Sequence, residues 1–263
     1  MVSAAKLRRA QENALAARPY STLLHTMMVS ILTNEQKGSA VFNHPLLKYR
    51  KEKSTLLLLL SGDKGLCGAF NGNVIRASEG FIASHNDKKI ELELIGKRAL
   101  DYFRRQEGNI SGEWPNVFQH VELRTAREIS TKVMERFVNE EIDSVYLLYN
   151  EFKSVLTQEV KLRRLLPVEI PETASSSVTE YIYEQPASDV FCDLLPKYVE
   201  TDIYQAMLES AAAEHAARMT AMDSATRNAE EMIEKLTLHL NRVRQASITK
   251  EIIEIVSGAA ALE

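Results

Sequence analysis

Apolar residues recur at steps of three and four toward the end of the chain: Met219, Met222, Thr226, Ala229, Ile233, Leu236, Leu240 and Val243. That spacing marks a narrow stripe on one side of a helix, the pattern of a coiled coil. No Pro or Gly interrupts the run from Met219 to Glu254. A helix of this kind is not stable alone, so the stripe predicts a partner helix. The beginning of the chain supplies a second helical pattern, through Met1, Ala4, Ala5, Arg8, Gln11, Ala14, Leu15 and Arg18. Tyr20, Leu23, Leu24, Met27, Met28, Ile31 and Leu32 carry an apolar stripe on past Pro19, which a long packed helix accommodates at a local cost.

Between these helical ends the pattern alternates between strand and helix. Thr55 to Leu60 is a continuous apolar run, as in a buried parallel strand. Ile90 to Ile95 and Ser144 to Tyr149 read as further strands, and Val155 to Leu165 as another with one polar side. Helices are predicted from near Ala69 or Phe70, over Lys97 to Gln106, and over Thr125 to Asn139, where Thr125 and Glu128 have capping-box spacing. The stretch from Pro167 to Ser177 is polar and turn-rich, and Val178 to Tyr183 reads as an extended edge segment. The fold class is therefore α/β, with a doubly wound, Rossmann-like, mostly parallel sheet set between long terminal helices. Three zones result: a helix over 1–37, an α/β domain over 43–183 and a long helix over 188–260. A helix unbroken from Lys197 to Ser257 is on the order of 90 Å long, more than such a domain is wide.

The stripe on the last helix changes along its length. Positions 211–213, 216 and 217 are all Ala, which lets two helices approach closely. Beyond Val243 the spacing lands on Ser247 and Lys250, while the apolar set moves to Ile248, Ile252, Ile255 and Ala259. A shift of that kind predicts a looser supercoil or a change of partner.

Composition narrows the function more than it names it. Of the 263 residues, 45% are hydrophobic and 26% charged, with a formal charge of -4. A net acidic chain without aromatic-studded basic patches is not the profile of a nucleic-acid binder. The two cysteines, Cys67 and Cys192, make no disulfide framework. The apolar run at Leu56 to Leu60 is far too short to cross a bilayer.

Candidate chemistry is sparse. Gly62, Gly65 and Gly68 follow the first strand with G-x-x-G-x-x-G spacing, neither the dinucleotide fingerprint nor a P-loop. A tight turn or a docking surface is the better reading, with Asp63 and Lys64 as an exposed, salt-bridging tip. Cys67 reads as a small buried filler. Glu214 and His215 lack the HExxH pattern, and Glu214 with Arg218 reads as an i,i+4 pair on an exposed helix face. No set of histidines has metal-ligand spacing, and neither a cofactor nor a catalytic site is expected.

Four segments carry a family resemblance: MVSAAKLRRAQ, SGDKGLCGAFN, EHAARMTAMDSATRNA and LNRVRQASITKEIIEIVSGAAA. The chain resembles, end to end, the gamma subunit of F-type ATP synthase. The resemblance implies a non-catalytic central-stalk rotor, with no cofactor of its own. Its terminal helices would form an antiparallel coiled coil rising into a hexamer of three alpha and three beta subunits. Its α/β domain would contact the epsilon subunit and the c-ring, on the cytoplasmic face of a bacterial inner membrane. By the same resemblance, Arg244, Gln245 and Thr249 contact a beta-subunit loop, and Lys6, Arg8 and Arg9 face acidic beta-subunit loops. Ile248, Ile252 and Ile255 form the upper shaft inside the hydrophobic sleeve of the hexamer. Asp63 and Lys64 are possible lower-stalk contacts. Family members begin earlier, so the chain is expected to lack about two dozen N-terminal residues; no capping signal precedes its first helical pattern. An inserted paired-cysteine switch of the chloroplast kind is not expected, because Cys67 and Cys192 stand in different zones.

Overall fold

The leucine run after Ser54 is buried on both faces, and the sheet is built outward from it. In the computed structural model, which describes residues 2–34, 44–169 and 185–260, β1 spans Ser54–Leu60. It pairs in parallel with β2 (Lys89–Ile95) on one side and β4 (Ser144–Phe152) on the other. β3 (Ile110–Trp114) adds in parallel beyond β2, and β5 (Gln158–Leu166) adds antiparallel beyond β4. The order is β3-β2-β1-β4-β5. A central strand covered on both sides needs no polar alternation, which is why β1 can be leucine throughout its last five positions.

Helices cover the two faces unequally. Leu57 and Leu59 pack with Val74 and Phe81 of α2 (Phe70–Ser84) and with Leu100 and Phe103 of α3 (Lys97–Arg105). Leu56, Leu58 and Leu60 share the larger core. Ile129, Val133 and Phe137 of α4 (Leu123–Val138) line it, with Met28 and Ile31 of α1 (Val2–Asn34). Phe191, Leu195, Val199 and Ile203 of α5 (Ala187–Ala260) complete it.

β2 alternates, and its polar positions are buried too. Leu92 and Leu94 join the α2–α3 side, while Glu91 and Glu93 meet α4. Arg136 pairs with Glu91 at 2.6 Å and Lys132 with Glu93 at 2.8 Å. The indole N–H of Trp114 on β3 also donates to Glu93, at 2.7 Å. A carboxylate this deep is tolerated because its lone pairs are answered by charged and neutral donors.

The structure shifts several expected boundaries. β5 begins at Gln158 rather than Val155, because residues 154–157 close a turn: the Ser154 amide donates to the Thr157 carbonyl at 3.0 Å, and Thr157 N–H to the Ser154 hydroxyl at 3.1 Å. α4 begins at Leu123 with Glu122 as N-cap and no side-chain cap bond, so Thr125 and Glu128 lie inside the helix and form no capping box. β3 was not foreseen; a five-residue edge strand containing Gly and Glu carries little apolar signal. Both α1 and α5 run unbroken through their prolines, Pro19 and Pro196. The expected edge segment at 178–183 lies outside the described residues.

The chain divides into two compact units, Met1–Thr220 and Ala221–Glu263. Within the first, α1 runs antiparallel to α5: Arg18 lies 3.7 Å from Glu209, and the His25 ring lies 6.2 Å from that of Tyr198, so rising numbers on one helix meet falling numbers on the other. The inward face of α1 is a strict heptad. Leu7, Ala14 and Met28 occupy one position with half-buried Ser21, and Leu24 and Ile31 the other with half-buried Ala10 and Ala17. This corrects the stripe expected from sequence: Leu15, Tyr20 and Leu23 are 58, 57 and 54% exposed, and Arg8 and Arg18 point outward as well. Small residues, Ala10, Ala14, Ala17 and Ser21, fill half of the seam and permit close approach, so size misleads a reading based on large side chains.

In the second unit α5 continues as helix to Ala260, with Ile233, Leu236, Leu240, Val243, Ile248, Ile252 and Ile255 exposed. Exposed i,i+4 pairs stud it: Asp223 with Arg227, Lys235 with Glu231 at 3.9 Å and Lys250 with Glu254 at 3.6 Å. Each such pair adds a few tenths of a kcal/mol.

The heptad register makes a paired prediction. Leu24→Ala should destabilise the chain by about 3 kcal/mol, because it empties a seam site, whereas Leu23→Ala should cost less than about 0.5 kcal/mol. Urea unfolding of the two variants decides it; equal losses would rule the register out.

Candidate functional site

The turn after β1 collects most of the unusual chemistry in the first unit. Asp63 is buried, and its carboxylate accepts three backbone N–H groups: Lys97 at 3.0 Å, Asn116 at 2.9 Å and Phe118 at 2.9 Å. It thereby ties the β1 turn to the start of α3 and to the loop after β3. An anion at a helix start is favourable, since free amides converge there. Asp63 is therefore no exposed tip, contrary to expectation; Lys64 beside it is exposed.

Gly62 in this turn makes room for α5. A Cβ on Gly62 would stand 3.0 Å from the Glu214 carboxyl carbon and 3.1 Å from the Asn71 side-chain oxygen, which already accepts the Gly62 amide at 2.8 Å. Glu214 is only 4% exposed and pairs with Arg218, so the expected exposed pair is a buried one. The Arg218 guanidinium also donates to the Gly65 carbonyl at 3.3 Å and lies 3.3 Å from His215 Nδ1. Cys67 and Phe70 from the turn pack with Ala213, and Phe152 at the end of β4 and Ala217 close the cluster. Cys67 is buried as expected, and burial pushes its thiol pKa up.

These contacts decide against the nucleotide reading of the glycine turn. In open α/β sheets a ligand binds outside the carboxyl ends of the strands, where the strand order reverses. Here that crevice lies between β1 and β4, and α5 fills it. A buried carboxylate rests where an anionic ligand would need to be. Among the described residues, no group of His, Cys, Asp or Glu is arranged to hold a metal ion.

Electrostatics around the helix follow from burial. Desolvation raises the pKa of Glu214, against the pull of Arg218 in the other direction. Desolvation, then Arg218, then Lys6 of α1 push the His215 pKa down to about 4. Farther along α5, Asp202 pairs with Arg163 of β5 at 3.0 Å, and burial raises the Asp202 pKa. Glu200 pairs with Arg127 of α4 at 3.1 Å.

The other residues singled out from sequence are exposed. On α1, Lys6, Arg8 and Arg9 face outward, and Arg8 pairs with Glu12 at 3.0 Å. In the second unit Arg244, Gln245 and Thr249 are exposed, and the Thr249 hydroxyl donates to the Gln245 carbonyl at 2.9 Å. Ile248, Ile252 and Ile255 are 49, 55 and 72% exposed. At about 100° per residue, Arg244, Ile248, Ile252 and Ile255 share one face, with Gln245 and Thr249 beside it. Sequence reasoning missed the role of Arg218 on the glycine turn. The alanines around it were the available signal, but they read as helix-on-helix packing rather than helix-on-turn packing.

Known proteins share this architecture and sequence. A family model described as ATP synthase matches residues 1–262. The ATP synthase gamma chain of Solibacter usitatus is 55% identical over 263 residues, covering 100% of this chain and 91% of that one. That of Pelotomaculum thermopropionicum is 47% identical over 265 residues, with the same shares of 100% and 91%. The chain belongs to the ATP synthase gamma chain family. Solved structures share the fold of this gamma-family chain. A chain of the Euglena gracilis mitochondrial ATP synthase, in its OSCP/F1/c-ring structure, superposes with a TM-score of 0.62 at 17% identity, over 98% of this chain and 95% of that one. One from the Tetrahymena thermophila central stalk/c-ring structure gives 0.58 at 23% identity, over 86% and 100%.

Asp63→Ala should cost about 3 kcal/mol, because one buried and two half-buried amides lose a charged acceptor. A loss below about 1 kcal/mol in urea titrations would mean that water replaces the carboxylate freely. For His215 the folded pKa of about 4 lies below the ordinary 6.5. The unfolded chain binds more protons between those values, so stability present above pH 6.5 is lost as pH falls toward 4. His215→Asn should flatten the fall in melting temperature across that window. Glu214 and Asp202, with raised pKa values, oppose this trend, so the difference between variant and parent is the quantity to compare; parallel curves would refute the assignment.

Proposed function

We infer that this gamma-family chain is the central-stalk rotor subunit of an ATP synthase, carrying c-ring rotation to the catalytic head and running in reverse during ATP hydrolysis. Its role is mechanical, and it is a non-catalytic subunit of the enzyme complex. The observation that carries the reading is the match to gamma chains along essentially the whole chain, including a 55% identical relative. The helix of the second unit fits a shaft, since its apolar side chains are exposed in the chain by itself and need a sleeve. The solved chain from Tetrahymena thermophila, of the same fold, comes from a central stalk/c-ring assembly.

The finer assignments rest on the family resemblance. The sleeve is three alpha and three beta subunits, with Ile248, Ile252 and Ile255 inside it. Arg244, Gln245 and Thr249 form a polar catch against a beta-subunit loop, and Lys6, Arg8 and Arg9 face acidic beta-subunit loops. Polar contacts suit a surface that must release and re-form as the shaft turns, because deep apolar burial would favour one angle too strongly. Lys64 is offered to the lower stalk, with the epsilon subunit and the c-ring as neighbours. No described helix is long and apolar enough to cross a membrane, and the relatives are bacterial. Both facts fit a peripheral subunit on the cytoplasmic face of the inner membrane.

Reconstitution tests the reading. Mixed with alpha and beta subunits, the chain should activate steady-state ATP hydrolysis, and a bead on it should rotate. Arg244→Ala should lower turnover several-fold, on the order of 1 kcal/mol in the barrier. Arg124→Ala, which removes an exposed pair with Glu128 on α4, should leave it alone. Activation by neither this chain nor a parallel sample extended by an N-terminal helix of about two dozen residues would defeat the rotor assignment, and equal turnover in both variants would defeat the catch.

A further inference from the structure

We propose that the Glu214–Arg218 pair, seated on the Gly62–Gly65 turn, is the rotational lock between α5 and the α/β domain: it fixes the angle at which the helix is held, so that turning the domain turns the helix. The proposal rests on the rotor reading and adds to it the residues that carry the torque inside the subunit.

A helix packed on a sheet by apolar contact alone is held down but poorly held against turning. The hydrophobic effect is non-directional and depends on area, which changes little when a smooth cylinder rolls. The stretch of α5 facing the turn is smooth in this sense, with Ala211, Ala212, Ala213 and Ala216 all buried. Charge-assisted hydrogen bonds are directional, and those of the arginine fork most of all. Rotation is therefore opposed mainly where α5 makes such bonds to the domain.

Among the described residues, three places do so within the first unit. Arg127 reaches Glu200 from α4, but its side chain is 64% exposed. Arg163 reaches Asp202 from β5 at 3.0 Å. Arg218 reaches the Gly65 carbonyl while pairing with Glu214. Asp202 and Arg218 stand ~24 Å apart along the helix and about 160° apart around it. Two bonds so displaced form a couple about the axis, which neither forms alone. Arg218 is also the last of these anchors before the second unit begins at Ala221. Its bond goes to backbone, which cannot swing away as a side chain can. The Gly62 turn brings that backbone close enough, because any side chain there would press on Glu214.

The test is angular stiffness in the assembled complex. A bead is attached through Leu156→Cys, on an exposed turn of the domain, in a Cys192→Ser background, and the motor is held by bound ADP. Arg218→Lys keeps a cation beside Glu214 but loses the fork to Gly65, and should widen the angular variance of the halted bead roughly two-fold. The double variant Glu214→Gln with Arg218→Gln, which leaves no unpaired charge, should widen it at least as much. ATP turnover should stay within about two-fold of the parent, since both side chains of the pair are largely covered within the first unit. Unchanged variance in Arg218→Lys complexes with the parental melting temperature would overturn the lock. Loss of assembly in Arg218→Lys would also overturn it, by showing a role in folding alone. If the parent bead does not rotate with ATP, it is the rotor reading that fails instead.

Discussion

How closely the long terminal helix can approach the sheet depends on one polar contact pressed into a glycine turn. Glu214 enters the crevice beside Gly62 with almost no solvent, and Arg218 covers it while bonding to Gly65. Burying a charge pair is costly, and hydrophobic residues of similar volume often hold a fold as well. What such a pair supplies is direction. Once it is in place, the alanines, Cys67, Phe70 and Phe152 can close around it, and α1 has a fixed surface to lie along. Removing one partner would leave the other buried and unanswered, so the seat is kept as a whole or lost as a whole.

The same helix faces two kinds of surroundings within one chain. Up to Thr220 it is buried among β-strands, α4 and α1. From Met222 its apolar residues are exposed, and none of the described side chains of the second unit is buried. A helix so apolar on several faces gains its stability from something that surrounds it. Its exposed ion pairs, a few tenths of a kcal/mol each, can support helicity but cannot substitute for that burial.

Much of this could be read in the sequence, and the failures have physical causes. The leucine run gave the central strand, and the alternation of strand and helix gave the sheet class. β3 escaped because edge strands need little apolar area, and its Trp114 is engaged with a buried Glu93 that looks like a surface residue in sequence. The α1 seam was misplaced because alanines mark close approach without standing out from neighbouring leucines. Asp63 and Arg218 looked exposed because charge usually is; only the fold reveals that three amides and a carbonyl await them. The residues named for partners, Lys6, Arg8, Arg9, Arg244, Gln245 and Thr249, rest on family resemblance, and the fold adds that all six are exposed.

The architecture also explains how a sheet of this class can serve a mechanical role. Its topology offers a crevice between β1 and β4 of the kind that holds nucleotides in related folds. Gly62, at the carboxyl end of the central strand, admits a helix there instead. Glu214 supplies the negative charge from within the chain, and Arg218 supplies the counter-charge. A bound ligand exchanges with solvent; a covalently continuous helix does not. Filling the crevice from within thus converts a binding site into a joint.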